Sequence, residues 1–518
     1  MLQLPDSEAA KKRRRILFMA GSVLLPFVWM LFLRVISFGN GENSLDCFYH
    51  FRISELGPSV FLSGEFPALQ LSVWKDSFAD KELLFHVFLW IVTGIRKLFC
   101  EIPSLPFHFE YFPFLLALLA AFVFAARRMD VRARIIFAGA LLLPMLTANE
   151  LARIEMLRPH LLSLIFMFLA FGILSQGSLK SRVTGIGILS FFYAMGYSNP
   201  HFIVLPALFF ALTGFGKDRF AGFLQPLIAF LLVFAGLLLH PHPSNIFLIW
   251  KVQSLDAIAS PLNAFLDPNR IPNELTSPNG RDFVTAIPLY LVTFFNLAML
   301  IRICEYRGFK AIPSSAAAVA ITGFFYTVIF FWMKRSIEYA APFSVLAFLA
   351  LLDYCLREDL LLTGMKQHWK RFSLGIFCVS VAVAGISSYL FYNRTHNHVF
   401  TAKPELSRYI RENFSEGYAL FNADWSDFPQ LYYELPQYHW QWGLDPSFSY
   451  AADERKAKIL TATVPAYQFR QITGLQYAVL LSPREARKNH LLSCGWRLIA
   501  EFPGEGWVFT NIPETQEK

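Results

Sequence analysis

The sequence predicts an all-α polytopic membrane bundle followed by a C-terminal soluble α/β domain. The chain of 518 residues is 55% hydrophobic and only 16% charged, whereas soluble domains carry about 25% charged residues. About twelve apolar runs approach the roughly 20 residues that a helix needs to cross the hydrocarbon core of a bilayer. After Tyr392 the hydropathy falls sharply, so residues 396–518 are predicted to form a separate domain.

The apolar runs predict about 11 to 13 transmembrane helices within residues 1–395. They are interrupted by two long polar stretches, 37–82 and 241–283, which are predicted to be outer loops. The runs are 16–36, 83–99, 108–126, 133–148, 160–175, 183–197, 201–215, 222–240, 284–303, 313–332, 340–355 and 373–392.

Short basic stretches predict the orientation of the bundle. Segments such as KKRRR (11–15) and KQHWKR (366–371) are typical of cytoplasmic loops. The N-terminus is therefore expected in the cytoplasm and the C-terminal domain outside, most naturally at a bacterial inner membrane. This arrangement needs an odd number of crossings, so one crossing near 83–110 or 241–283 is missed or misassigned.

Composition and motifs exclude several classes of function. The net charge of +8 comes largely from these basic loops, which indicates topology rather than nucleic-acid binding. The stretch GFGK (214–217) lacks P-loop spacing, and no G-x-G-x-x-G occurs, so a nucleotide site is not predicted. The six cysteines include no C-x-x-C pair.

Helix and strand signals alternate in the tail, which predicts a layered α/β domain. An amphipathic helix is predicted at 405–414, and strands at 417–423, 477–482 and 507–511.

Reactive side chains collect in loops that the predicted topology places on the outer face. Because charges are costly inside a bilayer, their convergence on one rim indicates a site for a metal, a phosphate and an acceptor. The clusters are DCFYHFRIS (46–54), DKELLFH (80–86), NELARIEMLRPH (149–160), YSNPH (197–201) with HPHPSN (240–245), and MKRSIEYAAP (333–342). Pro159 interrupts the third cluster, so its side chains are expected at a helix end.

Four of these stretches resemble motifs of the GT-C glycosyltransferases. DCFYHFR (46–52) is closest to the D-x-x-Y-H-x-R of oligosaccharyltransferase catalytic subunits. FADKELLFH (78–86) resembles the point where many GT-C enzymes re-enter the membrane, ARIEMLRPH (152–160) the arginine-bearing end of a later span, and RSIEYAAP (335–342) an R-x-x-x-Y-x-x-P element near the donor phosphate. The tail departs from the pattern because it has no W-W-D signature, so protein N-glycosylation is not expected.

The resemblance implies transfer of a sugar from a polyprenyl-phosphate donor to an extracytoplasmic acceptor, which can be a glycan, a lipid or a protein. A carboxylate would take the acceptor proton, and arginines would stabilise the leaving phosphate. The expected catalytic residues are Asp46, with Glu150 and Glu155 as rivals; the expected donor-phosphate residues are His50, Arg52, Arg158, Arg335 and Tyr339; and the expected substrate-binding residues are Tyr49, Asp80, His86 and His160.

Carboxylates such as Asp46 and Glu155 would suit Mg²⁺ or Mn²⁺, although many GT-C enzymes act without a metal. Two other functions stay open at this point. A transporter or flippase for a lipid-linked or anionic substrate would place ionisable groups within the spans and often contains two related halves. A non-catalytic membrane scaffold would not depend on Asp46.

Overall fold

The computed structural model describes residues 8–39, 41–99, 106–255, 273–361, 365–461 and 464–513. The chain separates into two compact units. The helical unit comprises Met1–Asn40, Ile102–Leu238 and Ser277–His398, and the mixed unit comprises Gly41–Glu101, Leu239–Thr276 and Val399–Lys518.

Helices dominate both units, and a five-stranded sheet lies in the mixed unit. The described α-helices are α1 (Glu8–Phe38), α2 (Asp46–Leu56), α3 (Pro58–Phe61), α4 (Leu83–Phe99), α5 (Pro106–Arg128), α6 (Ala133–Gly139), α7 (Leu142–Met145), α8 (Ala148–Ile154), α9 (His160–Ser175), α10 (Leu179–Ala194), α11 (Val204–Thr213), α12 (Phe215–Asp218), α13 (Leu224–Leu238), α14 (Pro243–Trp250), α15 (Gly280–Thr285), α16 (Ile287–Arg307), α17 (Ser314–Trp332), α18 (Ile337–Glu358), α19 (Met365–Thr395), α20 (Pro404–Asn413), α21 (Phe428–Glu434), α22 (Pro446–Ala452), α23 (Glu454–Thr461), α24 (Ala466–Thr473) and α25 (Glu485–Ser493). The strands are β1 (Ala419–Asn422), β2 (His439–Trp440), β3 (Tyr477–Leu481), β4 (Arg497–Phe502) and β5 (Gly506–Thr510).

The helical unit is a membrane bundle, as predicted. Among the described residues, seven helices are long and apolar enough to cross a membrane, or eight if a pair bent by 84° is one span. Several other predicted spans fall on shorter helices, such as α9 with 16 residues. The chain is therefore an integral membrane protein with a polytopic helical bundle.

The bent pair explains why one predicted span, 133–148, is not a straight helix. Pro144 lies in the short helix α7 before the bend, where a proline removes a backbone donor and disturbs the helical ladder. Thr147 then starts α8 by accepting a hydrogen bond from the backbone N–H of Glu150, as an N-cap residue does. The bend places Glu150 in the first turn of a new helix.

The sheet of the mixed unit has the order β2-β1-β3-β5-β4. Strand β1 pairs in parallel with β2 and β3, whereas β5 pairs antiparallel with β3 and β4. The predicted strands at 417–423, 477–482 and 507–511 and the helix at 405–414 are confirmed. The sequence missed β2, which has two residues, and β4, whose side chains are mostly half-buried.

The predicted first outer loop extends this sheet. The backbone N–H groups of Gln70 and Leu71 donate to the carbonyls of Trp440 and Gln441 over 2.8 and 2.7 Å, and Trp440 donates back to Ala68. The loop therefore belongs to the same folded unit as the tail. The middle of the predicted second loop, 256–272, lies outside the described residues, and the predicted domain boundary between 395 and 396 stays a prediction.

Candidate functional site

The first cluster of reactive side chains lies in the mixed unit, on and beside helix α2. Asp46 is the first residue of this helix, where the helix dipole favours a negative charge. His50 follows four positions later, so the two side chains share one face about 5–6 Å apart at their Cβ atoms. The helix stops at Gly57, whose φ of 67° is costly for other residues.

A hydrogen-bonded chain of three side chains starts from His50. Its Nδ1 lies 2.8 Å from Nε2 of His86, and Nδ1 of His86 lies 2.6 Å from Oδ2 of Asp80. All three side chains are buried. Because ionised Asp80 only accepts, His86 carries its proton on Nδ1 and accepts from Nδ1 of His50. The chain thus orients both imidazoles.

Glu82 lies close to the two histidines, and the three side chains together have the composition of a metal site. Ligand atoms of His50, Glu82 and His86 all lie within 4.8 Å of one another, and all three residues are buried. Two imidazoles and one carboxylate suit a divalent transition metal. The hydrogen bond from His86 to Asp80 is the kind that orients metal-bound histidines. The residues present therefore fit a divalent ion.

Tyr49 sits in an aromatic enclosure beside the two histidines. Its ring centroid lies 5.9 Å from that of His86, 6.2 Å from Trp74 and 6.4 Å from Tyr432 of the tail helix α21. Burial raises the pKa of Tyr49 well above its usual value, and the charge of Asp80 adds to this effect. The phenol therefore stays protonated.

Two further predicted residues of this unit are tied to local partners. His240 bonds through Nε2 to the backbone carbonyl of Asp80 over 3.0 Å, which supports the loop that carries the cluster. Arg52 donates to Glu55 over 3.0 Å on the same helix.

The second cluster lies in the helical unit, around the buried carboxylate of Glu338. Arg153 donates to one oxygen of Glu338 through two nitrogens, at 3.0 and 2.7 Å, and Arg335 donates to the other oxygen at 3.2 Å. Nε2 of His160 lies 2.8 Å from the carbonyl of Arg153. His160 lies within the electrostatic influence of the charges on Glu338 and on three arginines, Arg153, Arg158 and Arg335. The guanidinium groups of Arg153 and Arg335 thus converge on the one carboxylate of Glu338.

Tyr339 follows Glu338 on helix α18 and closes one side of this cluster. Its hydroxyl lies 2.9 Å from that of Ser163, which lies 2.7 Å from the hydroxyl of Tyr193. Its ring stacks on Tyr326 at a centroid distance of 4.9 Å. The hydroxyl of Tyr339 is therefore held in place by its neighbours.

The two other predicted carboxylates have structural partners. Glu155 is fully buried and accepts from Arg34 at 3.3 Å, and its backbone carbonyl accepts from the same arginine at 2.6 Å. Glu150 accepts from the backbone N–H of Leu146 at 3.1 Å, next to the N-cap of helix α8. These contacts give both residues a role in shaping the bundle.

The structure thus gathers His50, Asp80 and His86 with Tyr49, and separately Arg335, His160 and Tyr339. Sequence reasoning did not select Glu82, Arg153 or Arg34. For Arg34 a signal was present, because an arginine inside an apolar run marks a buried partner or a functional group.

Comparisons with known proteins agree on the fold. No protein-family model matches the sequence, and no curated protein resembles it significantly. Solved structures do match. The oligosaccharyltransferase AglB from Archaeoglobus fulgidus, in complex with an inhibitory peptide and a dolichol-phosphate, has a TM-score of 0.59 at 12% identity over 95% of this chain and 75% of that chain. ArnT from Cupriavidus metallidurans, bound to undecaprenyl phosphate, gives 0.54 at 12% identity over 95% and 98%.

A third match is the arabinofuranosyltransferase AftD from Mycobacteria, with a TM-score of 0.51 at 12% identity over 96% of this chain and 40% of that chain. These three proteins share the GT-C fold, and the chain has that fold. The fold expected from the short motifs is therefore confirmed.

Proposed function

We propose that this protein is a membrane glycosyltransferase that moves a sugar from a polyprenyl-phosphate-linked donor to an acceptor outside the cytoplasm. The observation that carries the proposal is the buried Asp80–His86–His50 chain, one helical turn from Asp46, in a chain with the GT-C fold.

A lipid-linked donor suits this chain because its apolar tail can stay in the bilayer while its phosphate meets polar side chains. Structures similar to this chain hold dolichol-phosphate or undecaprenyl phosphate. In the helical unit, we assign the donor phosphate to the arginines near Glu338. Arg158 and Arg335 are partly exposed, and a guanidinium can bind two phosphate oxygens at once. Tyr339 and His160 would add hydrogen bonds.

Transfer requires one bond to form and one to break. The acceptor hydroxyl attacks the anomeric carbon of the sugar, the bond from that carbon to the phosphate oxygen breaks, and the phosphate leaves with the electron pair. The hydroxyl proton goes to a base. We assign this role to Asp46, with His50 as the nearest alternative. Such a base contributes about 10²–10⁴-fold to the rate, and the arginines stabilise the charge on the leaving phosphate.

We further propose that His50, Glu82 and His86 hold a divalent metal ion. Such an ion would supply positive charge and act as a Lewis acid toward an oxygen atom bound to it. Their atoms are near enough for one ion. Two imidazole ligands suit Zn²⁺ better than Mg²⁺, and the carboxylate of Glu82 also suits Mn²⁺. This differs from the pair expected from the sequence, Asp46 and Glu155, because the carboxylate of Glu155 bonds to Arg34.

The orientation follows from the basic loops and is part of the proposal. We place the N-terminus in the cytoplasm of a bacterial inner membrane and the C-terminal domain outside. Glu150 and Glu155 then act as structural carboxylates, and Arg52, Tyr49 and Asp80 line or support the site.

The test compares lipid-linked sugars and surface glycans in cells that lack the gene and in cells that carry it. Complementation with Asp46→Asn should leave the donor accumulated and the glycan shortened. The matched control is Asp76→Asn, the same change at an exposed aspartate of the same loop, which should restore the wild-type pattern.

Unchanged lipid and glycan pools in the deletion strain would refute the transferase. Donor retained on the inner leaflet, measured by its protection from an external glycosidase, would instead identify a flippase. Full activity of Asp46→Asn in cells that make normal amounts of protein would remove Asp46 from the mechanism.

A further inference from the structure

A deep apolar groove runs along the helical unit, away from the residues assigned to sugar transfer. Its volume is about 820 Å³, within the range of about 300–1,000 Å³ found for ligand pockets. Helix α18 contributes Phe348 and Leu352, in its C-terminal half, to the lining. Glu338 lies at the N-terminal end.

Two membrane-length helices form the walls. Helix α16 contributes residues four positions apart, such as Leu291 and Phe295, and helix α19 contributes a stripe that includes Ile376 and Val379. Because residues four apart lie on one helical face, each wall is a continuous apolar strip. Both helices pack against α18, which keeps the groove open between them.

The groove is long enough for one lipid chain. The lining of helix α19 extends from residue 368 to residue 383, which is about 22 Å at the helical rise of about 1.5 Å per residue. The hydrocarbon core of a bilayer is about 30 Å thick, so the chains of one leaflet span about 15 Å. A single acyl chain therefore fits along the groove.

Basic side chains lie at one end of this apolar groove. His368 and Arg371 are its basic lining residues, and among the described residues no carboxylate pairs with Arg371. Asp353, near the C-terminal end of α18, already pairs with Arg132 and Arg357. The side chain of Arg371 is exposed, so it is accessible to an anionic partner.

We propose that this groove binds one acyl chain of an anionic phospholipid, whose phosphate contacts Arg371 and His368. The proposal adds a resident lipid site to the protein and does not depend on the proposed sugar transfer. The basic end of the groove lies near Asp353, because Arg132 pairs with Asp353 and contacts Trp369, whereas Glu338 lies at the other end of α18. From Glu338 to Asp353 this helix rises about 22 Å.

Helix α19 offers a sharp test at Gly375, which lines the groove. A Cβ added at this glycine meets nothing within 4 Å, so Gly375→Leu would project into the space of the acyl chain. A helical glycine is also a poor helix former, so the change should not unfold the protein. Gly385 has the same open surroundings but does not line the groove, which makes Gly385→Leu the matched control.

The experiment uses the full chain, purified in detergent, and measures bound lipid by native mass spectrometry while phosphatidylglycerol or phosphatidylcholine is added. We expect Gly375→Leu to weaken phosphatidylglycerol binding by about tenfold or more, and Gly385→Leu to leave it unchanged. Arg371→Gln should weaken phosphatidylglycerol about tenfold, as loss of a charge-assisted hydrogen bond does, but not phosphatidylcholine. Lys370→Gln, at a neighbouring base outside the groove, is its control.

Equal lipid binding by Gly375→Leu and wild type would overturn the proposal, as would equal loss in Arg371→Gln and Lys370→Gln. Undecaprenyl phosphate is the third lipid tested. If undecaprenyl phosphate binds the wild type more tightly than phosphatidylglycerol does, and Gly375→Leu removes this binding, the groove holds the donor lipid and the phospholipid assignment is wrong.

Discussion

Asp80 holds His86 in a fixed orientation through a hydrogen bond of 2.6 Å between Oδ2 and Nδ1, and both side chains are almost fully buried. This contact turns Nε2 of His86 toward His50. The contact matters equally whether the cluster binds a metal or relays a proton, because both roles need a fixed imidazole.

Asp80→Asn should therefore lower sugar transfer without removing a group that touches the sugar. An asparagine that presents its amide N–H₂ to Nδ1 would favour the opposite tautomer of His86. If a metal is bound, its affinity should fall about 10–100-fold. Manganese titration by calorimetry and transfer assays on the purified chain measure the two effects, and Asp76→Asn is the control. Wild-type values for both would show that the contact is only structural.

Removal of a ligand should have a larger effect on metal binding. His86→Gln removes one of the three proposed donors, so we expect manganese binding to be lost from the calorimetric trace. His242→Gln changes a half-buried histidine of the same unit that bonds to the carbonyl of Leu62, and it should bind metal normally. If the wild type binds neither manganese nor zinc, yet His86→Gln still abolishes transfer, the histidines act as a proton relay.

Glu338→Gln should destabilise the helical unit. Its buried carboxylate forms ion pairs with both Arg153 and Arg335. Removing one partner of a buried ion pair costs roughly 3–5 kcal/mol. The matched control is Glu358→Gln on the same helix, because Glu358 and Arg307 form an exposed pair worth at most about 1 kcal/mol. Thermal unfolding in detergent distinguishes the two, and equal midpoints would contradict the assignment.

His240 should make the mixed unit sensitive to acid. Burial lowers the pKa of His240 below its usual value, and its Nδ1 accepts from the backbone N–H of His242 over 3.1 Å, which a protonated ring could not do. The unfolded chain binds this proton below about pH 6.5, so stability is complete above that pH and falls as the pH drops below it. His240→Asn keeps an acceptor and should flatten the decline in unfolding temperature between about pH 6.5 and 5. Parallel curves for the two proteins would refute this.

The sequence predicted the membrane bundle and the strands of the tail because both have strong local signals. Long apolar runs report burial in lipid, and short runs such as YAVLL (477–481) report a buried strand. Strand β2 was missed because two residues carry no periodicity. The pairing of residues 68–71 with Trp440 was missed because it joins segments that no local pattern connects.

The sequence predicted which residues belong to the site but not which side chains bond to one another. His50, Asp80 and His86 were selected as reactive groups, and the structure brings them into one hydrogen-bonded chain. The partner of Glu155 was not predicted, since Arg34 lies in the first span, far away in sequence. The joint action of Asp46 with Arg158 and Arg335 stays a prediction.

The mixed unit is assembled from three distant parts of the chain, and this has a consequence for biosynthesis. The carbonyl of Pro67 is bonded by His439, which follows 372 positions later. A ribosome that adds about 5–20 residues per second needs roughly 20–70 s to make the partner. During that interval the apolar side chains of the first loop, such as Phe66 and Trp74, cannot be buried against the tail. We therefore expect the nascent chain at this stage to bind chaperones.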